Sequence, residues 1–311
     1  MLNLRRALYA FFSKSVYEKS LLKATYPNDY EYPKEKHVEL ILYTLLGHSL
    51  ETPPEKAFKM LSMRLFNSKW TIVLKTLAIL HRGLHEAGKF FSEQLSCLKV
   101  SLDCFGDFSE KGSAHNEVIK GYFEYIKAAS VSFCRENCFL ELSKHEALTN
   151  IQKSSSEDLV DCLVLYNKQL KHIAKLTPYL MSSVSNYRLG LTEKVAYYLI
   201  RDTRKLLEYS NGLLEVILDR FATIDKPTSE AVVKEYSKFE KYSQKIEELS
   251  ELSQKLPFAT IKPPQVVKRP PEIYDSLQTN LQEKHFHSCM QLPNPFFSLK
   301  WLPPVNLTNF K

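Results

Sequence analysis

The residues best placed to do chemistry are cations gathered where one helical stretch ends and the next begins. Lys23 closes the first stretch, and Pro33-Lys34-Glu35-Lys36-His37 opens the second. Positive side chains in a helix's first turn oppose its macrodipole, each at a cost of about 0.3–1 kcal/mol. Glu35 suits that position, whereas Lys34, Lys36 and His37 do not. An anion relieves the mismatch, because backbone amides and cationic side chains then converge on one phosphate. By residue type alone, two readings stay open: an anion site, or a chance cluster of surface lysines.

The charge balance points the same way. Of the net +7, most lies in residues 1–100, with 15 Lys and Arg against 9 Asp and Glu. That asymmetry suits an anionic partner, either lipid headgroups or nucleic acid. A nucleic-acid groove needs basic residues tracking its length, interleaved with aromatic platforms. The cluster here is focused, so no nucleic acid is expected.

Other chemistries find less support. His81 and His85 lie four apart on one helix, yet the sequence offers no third metal ligand and no HExxH pattern. Cys134 and Cys138 share that spacing and read as core packing. The six cysteines, at 97, 104, 134, 138, 162 and 289, include no CxxC pair and read as buried, reduced thiols of a cytosolic protein. With no Gly-rich phosphate loop or nucleophile elbow, the chain is not expected to be an enzyme, and no cofactor is implied.

The elements that must position the cations are helices. Only 8 glycines in 311 residues leave few tight turns for a many-stranded sheet. Leu4, Leu8, Phe11 and Phe12 mark a short amphipathic helix, which either packs on its neighbours or dips into a membrane interface. Val38, Ile41, Leu42 and Leu45 mark the next. Thr52-Pro53-Pro54-Glu55 has the form of a capping box opening a third. Trp70 to Gly88 gives a fourth. Longer segments follow over 159–181, 192–221 and 229–256, the last stopped by Pro257. Residues 1–257 are read as a helical domain and 258–311 as a largely extended tail, with one short helix over 272–284; from Pro257 onward fall 9 of the 15 prolines.

Lys23-Ala24-Thr25, a loop, and then Lys34-Glu35-Lys36-His37 resembles the lipid-binding signature of the ANTH domain of clathrin assembly proteins. Asn67-Ser68-Lys69-Trp70, Lys75-Thr76-Leu77 and Leu80-His81-Arg82 are similar to that family's fourth helix. The resemblance implies a right-handed α-solenoid of stacked antiparallel helices. It also implies a phosphoinositide-binding endocytic adaptor, peripheral on the plasma membrane or on clathrin-coated vesicles. Lys23, Lys34, Lys36 and His37 would grip the phosphates of phosphatidylinositol 4,5-bisphosphate, PI(4,5)P2. The rival is a helical interaction scaffold without lipid binding, since Glu35, Asp29 and Glu31 lie nearby and the loop is one residue longer than the family's. In the tail, Asn294-Pro295-Phe296 resembles ligands of EH domains, so EH-domain proteins and clathrin-coat components are the expected protein partners.

Overall fold

The computed structural model describes residues 15–27, 30–100, 114–135, 144–187, 190–257 and 262–290. The N-terminal amphipathic segment and Asn294-Pro295-Phe296 lie outside these residues. Helix α1 (Val16–Ala24) starts where the Ser15 side chain accepts a hydrogen bond from the Glu18 amide at 3.0 Å. Tyr17, Leu21 and Ala24 form its buried stripe. Helix α2 (Glu35–Leu45) buries Val38, Ile41, Leu42 and Leu45 and packs on α1. It stops at Gly47, whose φ of +84° lies in the left-handed region. There His48 N bonds Tyr43 O (3.2 Å) and Gly47 N bonds Thr44 O (3.0 Å), a crossed pair that satisfies end carbonyls.

Helix α3 (Pro54–Met63) and a short 3-10 turn (Arg64–Phe66) lead to α4 (Trp70–Glu86), in which every residue from Thr71 to His81 is buried. A helix enclosed on all sides is a central one. It touches α2, α5 (Gly88–Ser96) and α6 (Ala114–Cys134). Helix α7 (Lys144–Lys153) lies on α9 (Gly190–Arg220). Helix α8 (Ser156–Tyr187) is the hub of the second half, packing on α6, α9, α10 (Lys226–Ile246) and α11 (Glu248–Lys255). The last helix, α12 (Glu272–Met290), lies along α10, with Leu277 buried and the Tyr274 ring stacked on Tyr236 at 6.4 Å. One apolar core runs from Tyr17 to Leu277. The result is an all-α solenoid of stacked antiparallel helices, with no strand among the described residues.

Several local expectations need correction. Thr52 is buried and caps nothing: Pro53 is the N-cap of α3, with no side-chain bond to the first turn. Pro54 at the first helical position has no amide to cap, and its fixed φ begins the helix unaided. The segment expected over 229–256 is broken at Glu247, which frees α11 to turn Leu249 and Leu252 into the core beside α8 and α9. Of the cysteines described, Cys97 is exposed, while Cys162 is buried.

Candidate anion-binding site

The cations are positioned by a loop that is fastened at Thr25–Pro27 and again at Tyr30–Tyr32. Lys23 sits half-buried in the last turn of α1, and the chain then leaves the helix through Thr25, whose hydroxyl donates to Leu21 O at 2.8 Å. Arg64 donates from Nε to Thr25 Oγ1 at 3.0 Å. Lys75, only 1% exposed, donates from Nζ to Tyr26 O at 2.8 Å, and Thr71 donates to Pro27 O at 2.8 Å. The Tyr30 ring stacks on Trp70 at 5.7 Å, and Leu191 N bonds Tyr30 O at 2.9 Å. Tyr198 OH donates to Tyr32 OH at 3.0 Å. The loop is therefore held by the 3-10 turn, α4 and α9 together.

At the start of α2, Lys34 is the N-cap and no side chain caps the helix. Lys34 and Lys36 are exposed and His37 is half-buried. Glu35 does not face the same way: Arg82 Nη1 donates to its Oε1, while Arg82 Nε donates to Glu86 at 2.7 Å. The guanidinium thus neutralises the acid that interrupts the cationic run. Two hydrogen-bonded carboxylates in turn hold Arg82 firmly protonated, overcoming the cost of its partial burial. Lys194 extends the positive potential on α9. Its ammonium lies 4.6 Å from the Tyr197 ring centroid and 5.3 Å from that of Tyr198, and burial lowers its pKa.

Behind these residues lies a polar lock within the core. Asp202 on α9 accepts at Oδ2 from His81 (2.5 Å), His85 (3.1 Å) and Tyr125 (2.7 Å). The other nitrogen of His81 meets Tyr122 OH at 2.7 Å. Burial lowers the His81 pKa, and a neutral imidazole fits both contacts, with Nε2–H donated to Asp202 and Nδ1 accepting from Tyr122. Burial also works against the Asp202 charge, but His85 and His81 outweigh it and hold the carboxyl well below the usual range.

This lock supplies the third group that the sequence did not reveal beside His81 and His85, since the three heads lie within 4.8 Å of one another. It is a hydrogen-bonded network in its geometry. Ligands of a tetrahedral zinc ion stand about 3.3 Å apart, from bonds of about 2.0–2.1 Å, whereas His81 and Asp202 meet at 2.5 Å. The adjoining cavity, lined by residues including His85, Gln169 and Lys205, has about 10 Å³, room for one water.

Sequence reasoning placed Lys23, Lys34, Lys36 and His37 at the meeting of α1 and α2; Lys23 lies in the last turn of α1, Lys34 is the N-cap of α2, and the two helices pack on each other. It missed the work of Arg82, Lys75 and Arg64, because their partners lie 39 to 49 residues away in the chain.

A family model described as the ANTH domain matches residues 16–283. The chain belongs to the ANTH domain family. That family comprises lipid-binding adaptor domains without enzymatic activity. Among solved structures, the chain is similar to one of helical ANTH and ENTH tubules on PI(4,5)P2-containing membranes, at 15% identity and a TM-score of 0.61, over 86% of this chain and 100% of that one. It is also similar to a structure of the endocytic adaptor complex AENTH, at 15% identity and a TM-score of 0.50, over 80% of this chain and 97% of that one. At such identities the likeness concerns the fold. A search of curated proteins gives no significant match. No helix among the described residues of this ANTH chain is long and apolar enough to cross a membrane.

Proposed function

We propose that this ANTH chain is an endocytic adaptor that binds PI(4,5)P2 at the start of α2, through Lys23, Lys34, Lys36 and His37. The observation that carries this reading is the pairing of Glu35 with Arg82. It gives the acid of the cationic run a partner of its own on α4, while Lys34 and Lys36 are exposed. Family membership and the PI(4,5)P2-containing membranes of the related tubule structure support the same ligand.

Each charge-assisted hydrogen bond to a headgroup phosphate contributes about 1.5–3 kcal/mol, in competition with water. A single site of this kind binds modestly, so stable recruitment draws on the anionic leaflet as a whole or on a second partner. We assign the second contact to the residues after α12, where Asn294-Pro295-Phe296 would engage EH-domain proteins and link the membrane to the clathrin coat. The protein would then act from the cytoplasm, peripherally on the plasma membrane or on clathrin-coated vesicles.

Sedimentation with vesicles of phosphatidylcholine containing PI(4,5)P2 tests the reading. Wild-type chain pellets, and Lys23→Glu with Lys36→Glu abolishes pelleting while the fold is kept. Equal pelleting of both would leave a helical scaffold that does not use this site.

A further inference from the structure

Each helix of the α1–α2 hairpin carries a cation and exposed apolar surface along one side. On α2, Lys36 and Tyr43 are seven residues apart, which places them within about 20° on the helix surface, and Leu46 lies one turn further on. Tyr43 is 54% exposed and Leu46 46% exposed. On α1, Lys23 and Val16 repeat the seven-residue spacing, and Val16 is 53% exposed.

The two helices run antiparallel. Tyr17, in the first turn of α1, donates to Ala57 O at the start of α3, just beyond the end of α2, while Thr25 after α1 is held by Arg64 after α3. Val16 therefore lies toward the Tyr43–Leu46 end, and Lys23 lies toward Lys34 and Lys36. The face is cationic at one end and apolar at the other, about 15 Å away by the rise of α2. Between them it exposes Lys19 and Glu39, whose charges cancel.

We propose that this whole face is a bilayer-contact plane, in which Tyr43, Leu46 and Val16 enter the headgroup–acyl boundary while the cations hold anionic headgroups. The inference rests on the phosphoinositide reading and deepens it. Scattered exposed apolar residues need no explanation, but these share a face with a cation cluster. That pairing matches an anionic membrane, where adsorption grows with inserted apolar area and with electrostatic attraction. A tyrosine, apolar along its ring and polar at its tip, suits the boundary.

The test uses the full chain and two probes, PI(4,5)P2 vesicles and soluble inositol trisphosphate. Tyr43→Ser with Leu46→Ser should weaken vesicle binding about tenfold and leave binding of the soluble headgroup and the melting temperature unchanged. A Leu46→Trp chain should gain fluorescence quenching by brominated acyl chains, above the wild-type background, only when vesicles contain PI(4,5)P2. Unchanged vesicle binding by the serine variant, with an indole that brominated lipid does not quench, would overturn the proposal and leave the face to a protein partner. Wild-type chain that binds neither probe would remove the phosphoinositide reading and this inference with it. Wild-type chain that binds both, with an indifferent apolar end, would remove only the inference.

Discussion

Replacing Asp202 by asparagine tests how α4, α6 and α9 are locked together. The carboxylate Oδ2 accepts three hydrogen bonds, from His81 at 2.5 Å, His85 at 3.1 Å and Tyr125 at 2.7 Å, and Arg201 approaches Oδ1 at 3.3 Å. An amide removes the charge and turns an NH2 group toward one set of donors. Hydrogen bonds to a charged acceptor contribute about 1.5–3 kcal/mol each, about twice neutral ones, so weakening three of them and leaving a donor facing the NH2 group costs about 3–5 kcal/mol. Native proteins hold only about 5–15 kcal/mol in total, so Asp202→Asn should fold marginally. Urea denaturation followed by circular dichroism should show the midpoint falling by that free energy divided by the slope, the slope itself unchanged. The thermal midpoint should fall by about 5–9 °C. A loss below about 1 kcal/mol would refute the reasoning, since the carboxylate would then be no more than a tolerated polar group.

Three further outcomes follow from the same geometry. Arg82→Gln should free Glu35 beside Lys36 and weaken PI(4,5)P2 vesicle binding about three- to tenfold, and adding Glu35→Gln should restore it; a double variant as weak as the single would show that Arg82 acts otherwise. Burial and the neighbouring Lys171, Lys168 and Lys175 lower the His172 pKa to about 4. The unfolded chain takes up that proton first, so stability should fall as pH drops from about 6.5 toward 4, and His172→Gln should flatten that part of the profile measured by chemical denaturation. Gly47→Ala should cost about 1 kcal/mol in the same assay, because its φ of +84° is strained for any residue with a Cβ.

The helices were readable where apolar residues repeat at three and four, as in Val38, Ile41, Leu42 and Leu45 or in the long stripe of α9. Periodicity says little about where a helix breaks without proline or glycine, and the interruption at Glu247 reflects what α11 packs against. Thr52 misled because a capping pattern of residue types ignores that two prolines can begin a helix alone. The cations themselves were local and legible. What sets their environment was not: Arg82 meets Glu35 across 47 residues, and Asp202 meets His81 across 121. Contacts of that span are made by topology and leave no mark in spacing. Glu35 shows the consequence, since it reads as a liability to the site until its partner is known.

The most direct measurement is calorimetric titration of the intact chain with soluble inositol trisphosphate, which removes every contribution of the bilayer. A receptor built from Lys23, Lys34, Lys36 and His37 should bind one headgroup saturably, lose at least about tenfold in affinity with Lys36→Glu, and be indifferent to reversal of Lys99, an exposed lysine just after α5 (Lys99→Glu). Equal losses from both reversals, or no saturable binding while vesicles still recruit the chain, would contradict a defined phosphate site and leave only a diffuse attraction between opposite charges.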